Sequence, residues 1–352
     1  MKIDYAEAYV LDDGQTEVDI KTDEQNLPDY ELYWTMNNDK YTKEKKYLLT
    51  SNKTKVCFQF SYSTVRPTYF ILNFKKHEPL LFGYRILPVP GMYNLRDIGG
   101  YRTSAGMRIK WGQVYRSDYL HNLEPSGFTF VKNLGLHSII DFRSAIEVKD
   151  TPNPVIDPAI HTFNFDPNAK TAAIAGRAQS LDTGKDMKER AKEALAKGET
   201  GNDQMIRQQE SFVDSPASIE AFSNTIKVTA QSKYLPSLQH CRGGKDRTGF
   251  GFMVLEGILG VPAELLVYDY MLTKRARVKK NARYYQKFLQ QTGNKEVADY
   301  MYALFDTREE FITASITKIM REYGTIYQYA TDKLGLTEAE YLSLRKSLLE
   351  KA

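Results

Sequence analysis

The first 88 residues alternate short apolar segments with clusters of polar turn residues. The segments are rich in Val, Ile, Tyr, Phe and Thr, and the clusters between them contain Asp, Asn, Ser and Gly. Regularly spaced short strands of this composition are typical of β-sandwiches. The pattern predicts an all-β, sandwich-like domain over residues 1–88, without a catalytic constellation. Its strands are expected at residues 8–11, 17–22, 31–36, 46–50, 56–61 and 68–74.

The pattern changes after residue 88, where Pro88, Pro90 and Gly91 mark a boundary. Beyond it, short apolar runs typical of buried strands alternate with longer segments of helical periodicity. This alternation predicts an α/β domain over residues 89–352, with a central, mostly parallel sheet flanked by helices. Helices are expected at residues 128–136, 187–196, 216–230, 250–259, 265–271, 311–334 and 338–349.

The composition, with 42% hydrophobic and 26% charged residues, is that of an ordinary globular protein. The net charge of +4 does not argue for nucleic-acid binding, but it suits an anionic substrate. A basic cluster within residues 274–283 is typical of a solvated helix face, with an anionic membrane surface as the alternative partner. No run of 18 apolar residues and no signal-peptide core are present. We expect a cytoplasmic protein, although an exported chain trimmed of its signal would have the same sequence.

The chain has two cysteines, Cys57 and Cys241, in different regions. Cys57 lies in the strand-like run 55–60 and is expected in the core of the first domain. We predict no disulfide, and a protein with thiol chemistry at Cys241 and one spare cysteine fits a reducing compartment. The five histidines show no metal-ligand spacing, so neither a metal nor another cofactor is expected.

The stretch from His240 to Gly249, HCRGGKDRTG, carries the strongest chemical signal in the chain. It follows the extended run 233–239 and precedes the apolar helical run 250–259. A loop between a strand and a helix directs backbone N–H groups into one concavity, and the helix dipole adds positive potential there. The stretch is therefore expected to bind a phosphate-like dianion.

Reactive side chains surround this predicted anion site. Cys241 is a candidate nucleophile, because nearby positive charge favours its thiolate, and Arg247 can hold two phosphoryl oxygens at once. Gly243 and Gly244 allow the backbone to approach the anion closely. His240 is expected to hold the loop through side-chain hydrogen bonds. The other loop residues expected to bind phosphate are Arg242, Lys245 and Thr248.

The spacing of a cysteine, five residues, an arginine and Thr-Gly resembles the signature loop of the cysteine-dependent protein tyrosine phosphatase superfamily. The form HCxxGKDRTG is similar to that of its bacterial and fungal branch of tyrosine and lipid phosphatases. The stretches 93–101 and 114–118 resemble further motifs of that branch, so the resemblance covers residues 89–352. The first 88 residues lie outside it, although the run 30–34 is similar to a central strand of fibronectin-III-like or immunoglobulin-like domains.

The resemblance implies hydrolysis of phosphomonoesters through a cysteinyl-phosphate intermediate, with Cys241 as the nucleophile and Arg247 holding the phosphoryl oxygens. An acid must protonate the leaving oxygen, and both Asp166 and Asp246 are candidates. Asp166 precedes the signature loop, as the acid does in the superfamily, whereas Asp246 lies inside the loop, where some members of the branch use it. Asp141 is a third candidate.

Other residues near the site are expected to support it. Asp97 is expected to cross-link loops, and Asp141, at the end of a predicted strand, to position a loop arginine. Glu147 has the pattern of a solvated charge. The polar segment at about 168–212 corresponds to an insertion that forms a helical lid in the resembled branch. A loosely packed surface excursion is the alternative.

Arg242 and Lys245 occupy loop positions at which phosphoinositide phosphatases of the superfamily carry basic residues. Phosphoinositides therefore compete with phosphotyrosine proteins as the expected substrates, and inositol polyphosphates are a further alternative. An inactive phosphate-binding scaffold and a sulfur-transfer enzyme are the alternatives outside this class. No nucleic-acid partner is expected, since the basic cluster lacks interleaved aromatic residues.

Overall fold

A computed structural model describes residues 2–24, 27–169 and 184–352 of the chain. Its N-terminal strands are β1 (Ile3–Val10), β2 (Gln15–Thr22), β3 (Tyr30–Thr35), β4 (Lys46–Ser51), β5 (Lys55–Gln59), β6 (Tyr69–Phe74) and β7 (Leu80–Gly83). They form two separate antiparallel sheets, with the orders β1-β2-β5 and β4-β3-β6-β7. Each strand predicted from the sequence overlaps one of these elements, and only the short β7 was not anticipated.

The expectation that Cys57 lies in the core is wrong. β5 is an outer strand of its sheet, and its residues alternate between exposed and half-buried positions. Cys57 falls on the exposed positions, whereas its neighbours Val56 and Phe58 pack against the core. Because successive side chains of a strand point to opposite faces, a strand-like composition does not fix which face a given residue occupies.

The remaining strands are β8 (Arg96–Asp97), β9 (Met107–Ile109), β10 (Val114–Ser117), β11 (Ser138–Asp141), β12 (His161–Asn164), β13 (Ser237–His240) and β14 (Leu349–Lys351). Five of them form a mixed sheet in the order β12-β11-β13-β10-β8, and β9 pairs with β14. β10 to β13 are parallel, and β8 is antiparallel to β10. The ends of β11, β12 and β13 therefore meet at one edge of the sheet, where ligands of such sheets bind.

Helices flank this sheet. They are α1 (Pro125–Lys132), α2 (Ala145–Asp150), α3 (Gly184–Ala196), α4 (Gly201–Asp214), α5 (Pro216–Thr229), α6 (Asp246–Ile258), α7 (Ala263–Thr292), α8 (Lys295–Ala303), α9 (Glu309–Tyr323), α10 (Ile326–Asp332) and α11 (Glu338–Leu348). α6 begins before its predicted apolar run, because the polar end of the signature stretch forms its first turn. α7 extends over 30 residues and includes the whole basic cluster. No described helix is both long and apolar enough to cross a membrane.

The predicted lid segment is described only in part, because residues 170–183 lie outside the described residues. Within the described part, Met187 and Ala191 of α3 and Met205 of α4 are buried in the hydrophobic core. These three anchors show that α3 and α4 are packed rather than loosely attached. A role as a lid over the active site stays a prediction.

One hydrophobic core joins the N-terminal sheets to the α/β part. It includes Phe70 and Phe82 of the N-terminal sheets together with Phe130 of α1 and Leu238 of β13. Burial of such large apolar side chains contributes roughly 1.5–3 kcal/mol each. The two parts therefore stabilise each other through shared apolar contacts, and the boundary predicted near residue 88 does not separate two sets of core residues.

Arg85 fastens β1 to the segment that contains β8. Its guanidinium is fully buried, pairs with Glu7 at 3.2 Å and donates to the carbonyl oxygens of Asp97 and Gly99, both at 3.1 Å. Trp111 packs beside it and fills the space in which a Cβ on Gly99 would lie, 2.6 Å from the Trp111 Cα. This junction fixes the chain that leads into the candidate site.

Candidate active site

The signature stretch connects β13 to α6. His240 ends the strand and Asp246 begins the helix, so residues 241–245 form the loop. Gly244 has a φ of +63°, which favours glycine, and a Cβ at this position would lie 2.5 Å from the Ser117 carbonyl oxygen. The tight loop places Cys241 beside the first turn of α6, where backbone N–H groups lack intrahelical acceptors and favour an anion.

Two buried side chains hold the loop from outside. Asn94 donates to the carbonyl oxygens of Gly243 at 3.2 Å and Gly244 at 3.0 Å, and Arg116 donates to that of Gly244 at 3.0 Å. Both donors are fully buried. Because the carbonyl groups are held on the outer side, the N–H groups of the same peptides are turned toward the centre of the loop.

Asp269 of α7 anchors this support. It accepts hydrogen bonds from Arg96 at 3.0 Å and from Arg116, and all three side chains are buried. Burial alone would raise the pKa of Asp269, but the charges of Arg96 and Arg116 outweigh it and hold the pKa below its usual range. Sequence reasoning did not assign Asp269 to the site. Its signal in the sequence was the stretch Tyr268-Asp269-Tyr270, which lies at the position of a motif of the resembled branch.

Cys241 is buried, with 3% of its surface exposed. The adjacent His240 lies with Nδ1 3.1 Å from the Cys241 carbonyl oxygen and Nε2 3.0 Å from the Asn153 amide. Burial lowers the pKa of His240 even though Asp141 lies 3.6 Å away, which favours a neutral ring. His240 therefore fixes the start of the loop by hydrogen bonds.

Asp141 does not pair with an arginine of the signature loop, so that expectation is wrong. Its partner is Arg143, with Nη2 2.7 Å from Oδ2 and Nε 3.0 Å from Oδ1. The turn after β11 explains why Asp141 pairs with Arg143, because the backbone N–H of Arg143 also donates to the Asp141 carboxylate. Asp141 reaches the loop only indirectly, through Asn153 and His240.

Glu147 is not a solvated charge, as its sequence context suggested, but the partner of Arg247. It is 2% exposed, and its two oxygens accept from Nη1 and Nη2 of Arg247 at 2.6 Å and 2.9 Å. Burial opposes ionisation of Glu147, but the hydrogen bond from Arg247 keeps its pKa below the usual value. The pattern Ser144-x-x-Glu147 was the available signal, because it forms a capping box that directs Glu147 inward at the start of α2.

The two candidate acids have different environments. Asp246 is buried, and its carboxylate accepts from Gln209 at 3.3 Å and Tyr270 at 3.2 Å and lies 3.5 Å from the Lys245 ammonium. Asp166 follows β12 and is half-buried, with one oxygen bonded to the Asn168 N–H at 2.8 Å. Burial raises the pKa of Asp166, against the opposing charge of Arg247.

Lys245 does not face the centre of the loop, contrary to its expected role in phosphate binding. Its ammonium group is buried and donates to the carbonyl oxygens of Leu304 at 2.9 Å and Asp306 at 2.7 Å. A buried ammonium needs acceptors, and the chain that follows α8 supplies them.

Two other predicted phosphate ligands remain close to the loop. Arg242 is half-buried, with Nη1 3.0 Å from the Thr151 hydroxyl and its guanidinium 4.6 Å from the centre of the Tyr119 ring. Thr248 is fully buried, and its hydroxyl has no hydrogen-bond partner among the described residues. Both side chains therefore keep donors that the described protein groups do not use.

Asp97 supports the site at a distance. One of its oxygens accepts from the Gly99 N–H at 2.8 Å and the other from the Gly112 N–H at 2.6 Å. Burial raises the pKa of Asp97 to about 7, although these two hydrogen bonds oppose the change. The residue fastens the loop that packs against Trp111, and it does not contact the signature loop.

Comparisons with known proteins agree with this geometry. A family model described as the tyrosine phosphatase family matches residues 87–350. The chain is 26% identical over 249 residues to a protein of Cupriavidus necator provisionally named a tyrosine-protein phosphatase, which covers 70% of this chain and 83% of that protein. It is 24% identical over 278 residues to the triple specificity protein phosphatase PtpB of Mycobacterium tuberculosis, which covers 74% and 98%. The chain therefore belongs to the tyrosine phosphatase family.

Proposed function

We propose that this phosphatase acts through a cysteinyl-phosphate intermediate formed on Cys241. One observation carries the proposal: the loop that contains Cys241 leads directly into the first turn of α6, which contains Arg247, and the buried Nε of Arg247 has no hydrogen-bond partner among the described residues. Glu147 occupies the other edge of the guanidinium. The Nε edge is therefore the donor available to a phosphoryl oxygen.

The reaction has two displacements. The Cys241 thiolate attacks phosphorus, the S–P bond forms, and the P–O bond to the leaving group breaks while an acid protonates the leaving oxygen. Water then attacks phosphorus, the same carboxylate accepts its proton, and the S–P bond breaks to regenerate the thiolate. Arg247 and the loop N–H groups stabilise the equatorial oxygens in both steps. Neither step uses a metal or another cofactor.

Asp166 is the better candidate for the acid. A general acid must carry a proton at the working pH, and burial shifts the pKa of Asp166 in that direction. Asp166 follows β12, which is parallel to β11 and β13, so it leaves the sheet at the edge at which the signature loop begins. Asp246 is instead held by Gln209, Tyr270 and Lys245, which suits a residue that braces the start of α6.

Phosphotyrosine proteins and phosphoinositides are the proposed substrates. The relative PtpB is named a triple specificity phosphatase, which supports an enzyme of this family with more than one substrate class. Arg242, half-buried beside Cys241, adds positive charge at the loop. Inositol polyphosphates share the required chemistry and remain an alternative to phosphoinositides.

Hydrolysis of p-nitrophenyl phosphate in the presence of EDTA tests the proposal. We expect turnover by the wild type and a loss of roughly 10³-fold or more in Cys241→Ser, because a hydroxyl is a far weaker nucleophile than a thiolate. The exposed Cys57 provides the matched control, and Cys57→Ser should retain wild-type turnover. Turnover of Cys241→Ser equal to the wild type would refute the intermediate. Thiosulfate consumption without phosphate release would indicate sulfur transfer instead.

A further inference from the structure

A buried arginine of α7 lies beside the signature loop without an acidic partner. Arg277 is 3% exposed, and its Nε is buried with no hydrogen-bond partner. Within residues 2–24, 27–169 and 184–352, no ion pair or hydrogen bond involves its guanidinium. The guanidinium lies against the loop, because a Cβ on Gly243 would come within 2.7 Å of its Nη1. Since a buried charge without a counter-ion is costly, this position favours an anion.

Lys280, one helical turn beyond Arg277, adds a second cation on the same face of α7. Its ammonium lies 4.6 Å from the centre of the Tyr93 ring, and the described residues give it no ion pair. Burial lowers the pKa of Lys280 to about 8, and repulsion from Arg277 and Arg242 contributes to the change. The charge of Asp118 opposes this lowering of the Lys280 pKa. The oxygens of Asp118, however, already accept hydrogen bonds from the N–H groups of residues 93 and 94.

Other basic residues of the same run have partners elsewhere. The ammonium of Lys274 lies 4.0 Å from Asp306, and that of Lys279 lies 2.7 Å from Asp12. Arg275 lies over the ring of Tyr9 at 3.3 Å. The run is therefore not one uniform solvated face, because Arg277 lies against the signature loop while Arg275 and Lys279 contact the N-terminal part of the chain.

We propose that Arg277, Lys280 and Arg242 form a second anion site, which binds a further phosphate of the molecule whose first phosphate reacts with Cys241. The inference rests on the proposed hydrolysis at Cys241 and adds a substrate requirement to it. Three cations lie beside the loop, and one of them, Arg277, is buried with an Nε that has no hydrogen-bond partner among the described residues. Charge-assisted hydrogen bonds to phosphate would satisfy them.

The position of Arg277 limits the kind of substrate. Because its guanidinium touches Gly243, the second phosphate must lie close to the first. Phosphates on nearby carbons of one polyol ring meet this condition, whereas two phosphotyrosines of a peptide project from separate side chains. Tyr93, 43% exposed, and the half-buried Tyr284 supply apolar surface beside the cations. The chemistry indicates a ring with two or more phosphates, either free or as a lipid headgroup.

Matched mono- and bisphosphates test the second site. The wild type, Lys280→Gln and Arg277→Met are compared by kcat/KM on inositol mono- and bisphosphates and on short-chain phosphatidylinositol mono- and bisphosphates. We expect the wild type to prefer the bisphosphate by roughly 10-fold or more, since charged hydrogen bonds contribute about 1.5–3 kcal/mol. Each variant should lose most of this preference. The free and lipid arms identify which source of the ring is favoured.

Lys279→Gln is the control, because it removes the same charge from the same helix on the face that pairs with Asp12. It should keep the wild-type ratio of bisphosphate to monophosphate. Lys280→Gln keeps the test valid if the buried Arg277→Met does not fold. A wild type without preference for the bisphosphate, or variants with an unchanged ratio, would each overturn the second site. Hydrolysis of p-nitrophenyl phosphate by the wild type checks the proposed function separately.

Discussion

The two candidate acids near the signature loop, Asp246 and Asp166, have different surroundings. Asp246 precedes Arg247 in the chain and accepts hydrogen bonds from Gln209 and Tyr270. Asp166 follows β12, and the hydrogen bond given for it among the described residues comes from a backbone N–H, that of Asn168. A carboxylate that stabilises a helix start should remain ionised, and a general acid should hold a proton. We therefore expect a structural role for Asp246 and a chemical role for Asp166.

Asp166→Asn and Asp246→Asn distinguish these roles. On an alkyl phosphate, whose leaving group needs a proton, we expect Asp166→Asn to lower kcat about 10²–10³-fold, with a much smaller effect on p-nitrophenyl phosphate. Asp246→Asn should lower both rates by a similar factor and reduce thermal stability, because Tyr270 and Gln209 lose a charged acceptor. The opposite pattern would assign the acid to Asp246.

At the scale of elements, the site depends on the contact between α2 and α6. Glu147, in the first turn of α2, binds Arg247 in the first turn of α6, and both side chains are buried. A helix of six residues has little stability of its own, so tertiary contacts and its capping box must hold it in place. The orientation of Arg247 is therefore set by an element that lies a hundred residues earlier in the chain.

Glu147→Gln tests this contact. We expect a loss of roughly 3–5 kcal/mol in the free energy of unfolding at pH 7, because Arg247 would keep a buried, uncompensated charge. The pKa of Glu147 is lowered in the folded protein, so its contribution is present above the ordinary value of 4.5 and is lost as the pH falls through the folded value. Urea titrations at pH 7 and near pH 4 should show a shrinking difference from the wild type.

Glu189→Gln is the control for this experiment, because it removes the same charge from an exposed pair with Lys192. Surface pairs of this kind contribute little, so its stability should match the wild type at both pH values. An equal loss in Glu147→Gln and Glu189→Gln would mean that the bond to Arg247 contributes nothing measurable.

The sequence predicted elements better than contacts. The glycines, Cys241 and Arg247 could be placed because their spacing in one loop is local. Glu147 was missed, since its burial depends on how a short helix packs against another one. Lys245 was misassigned for the same reason, because its acceptors, the carbonyl groups of Leu304 and Asp306, lie some sixty residues later. Even where an element is predicted correctly, the direction of its side chains depends on tertiary packing, which the local sequence does not specify.

At the scale of the whole molecule, the N-terminal sheets share their core with the phosphatase part. Phe70 and Phe130 belong to the same cluster, and Arg85 joins β1 to the segment that contains β8. The division at residue 88, the sandwich-like architecture and the cytoplasmic location stay predictions. The shared core nevertheless indicates that the two parts unfold together.

Unfolding of the full chain tests this coupling. Activity and tryptophan fluorescence, which includes Trp34 of β3, should decay in one urea transition. Glu7→Gln should move both curves to lower urea together, by an amount equal to about 3–5 kcal/mol, because Arg85 would lose its buried counter-ion. The exposed Glu24 supplies the control Glu24→Gln, which should leave both curves in place. Two separate transitions would show that the N-terminal sheets unfold independently.

α7 contacts the N-terminal sheet on one side and the signature loop on the other. Arg275 and Lys279 lie against Tyr9 and Asp12, while Arg277 faces Gly243. Contacts with β1 and the turn that follows it therefore help to fix the position of α7. The position of α7 in turn sets the distance between the two proposed anion sites. Natural selection could therefore change the preferred substrate through mutations in strands that never touch it.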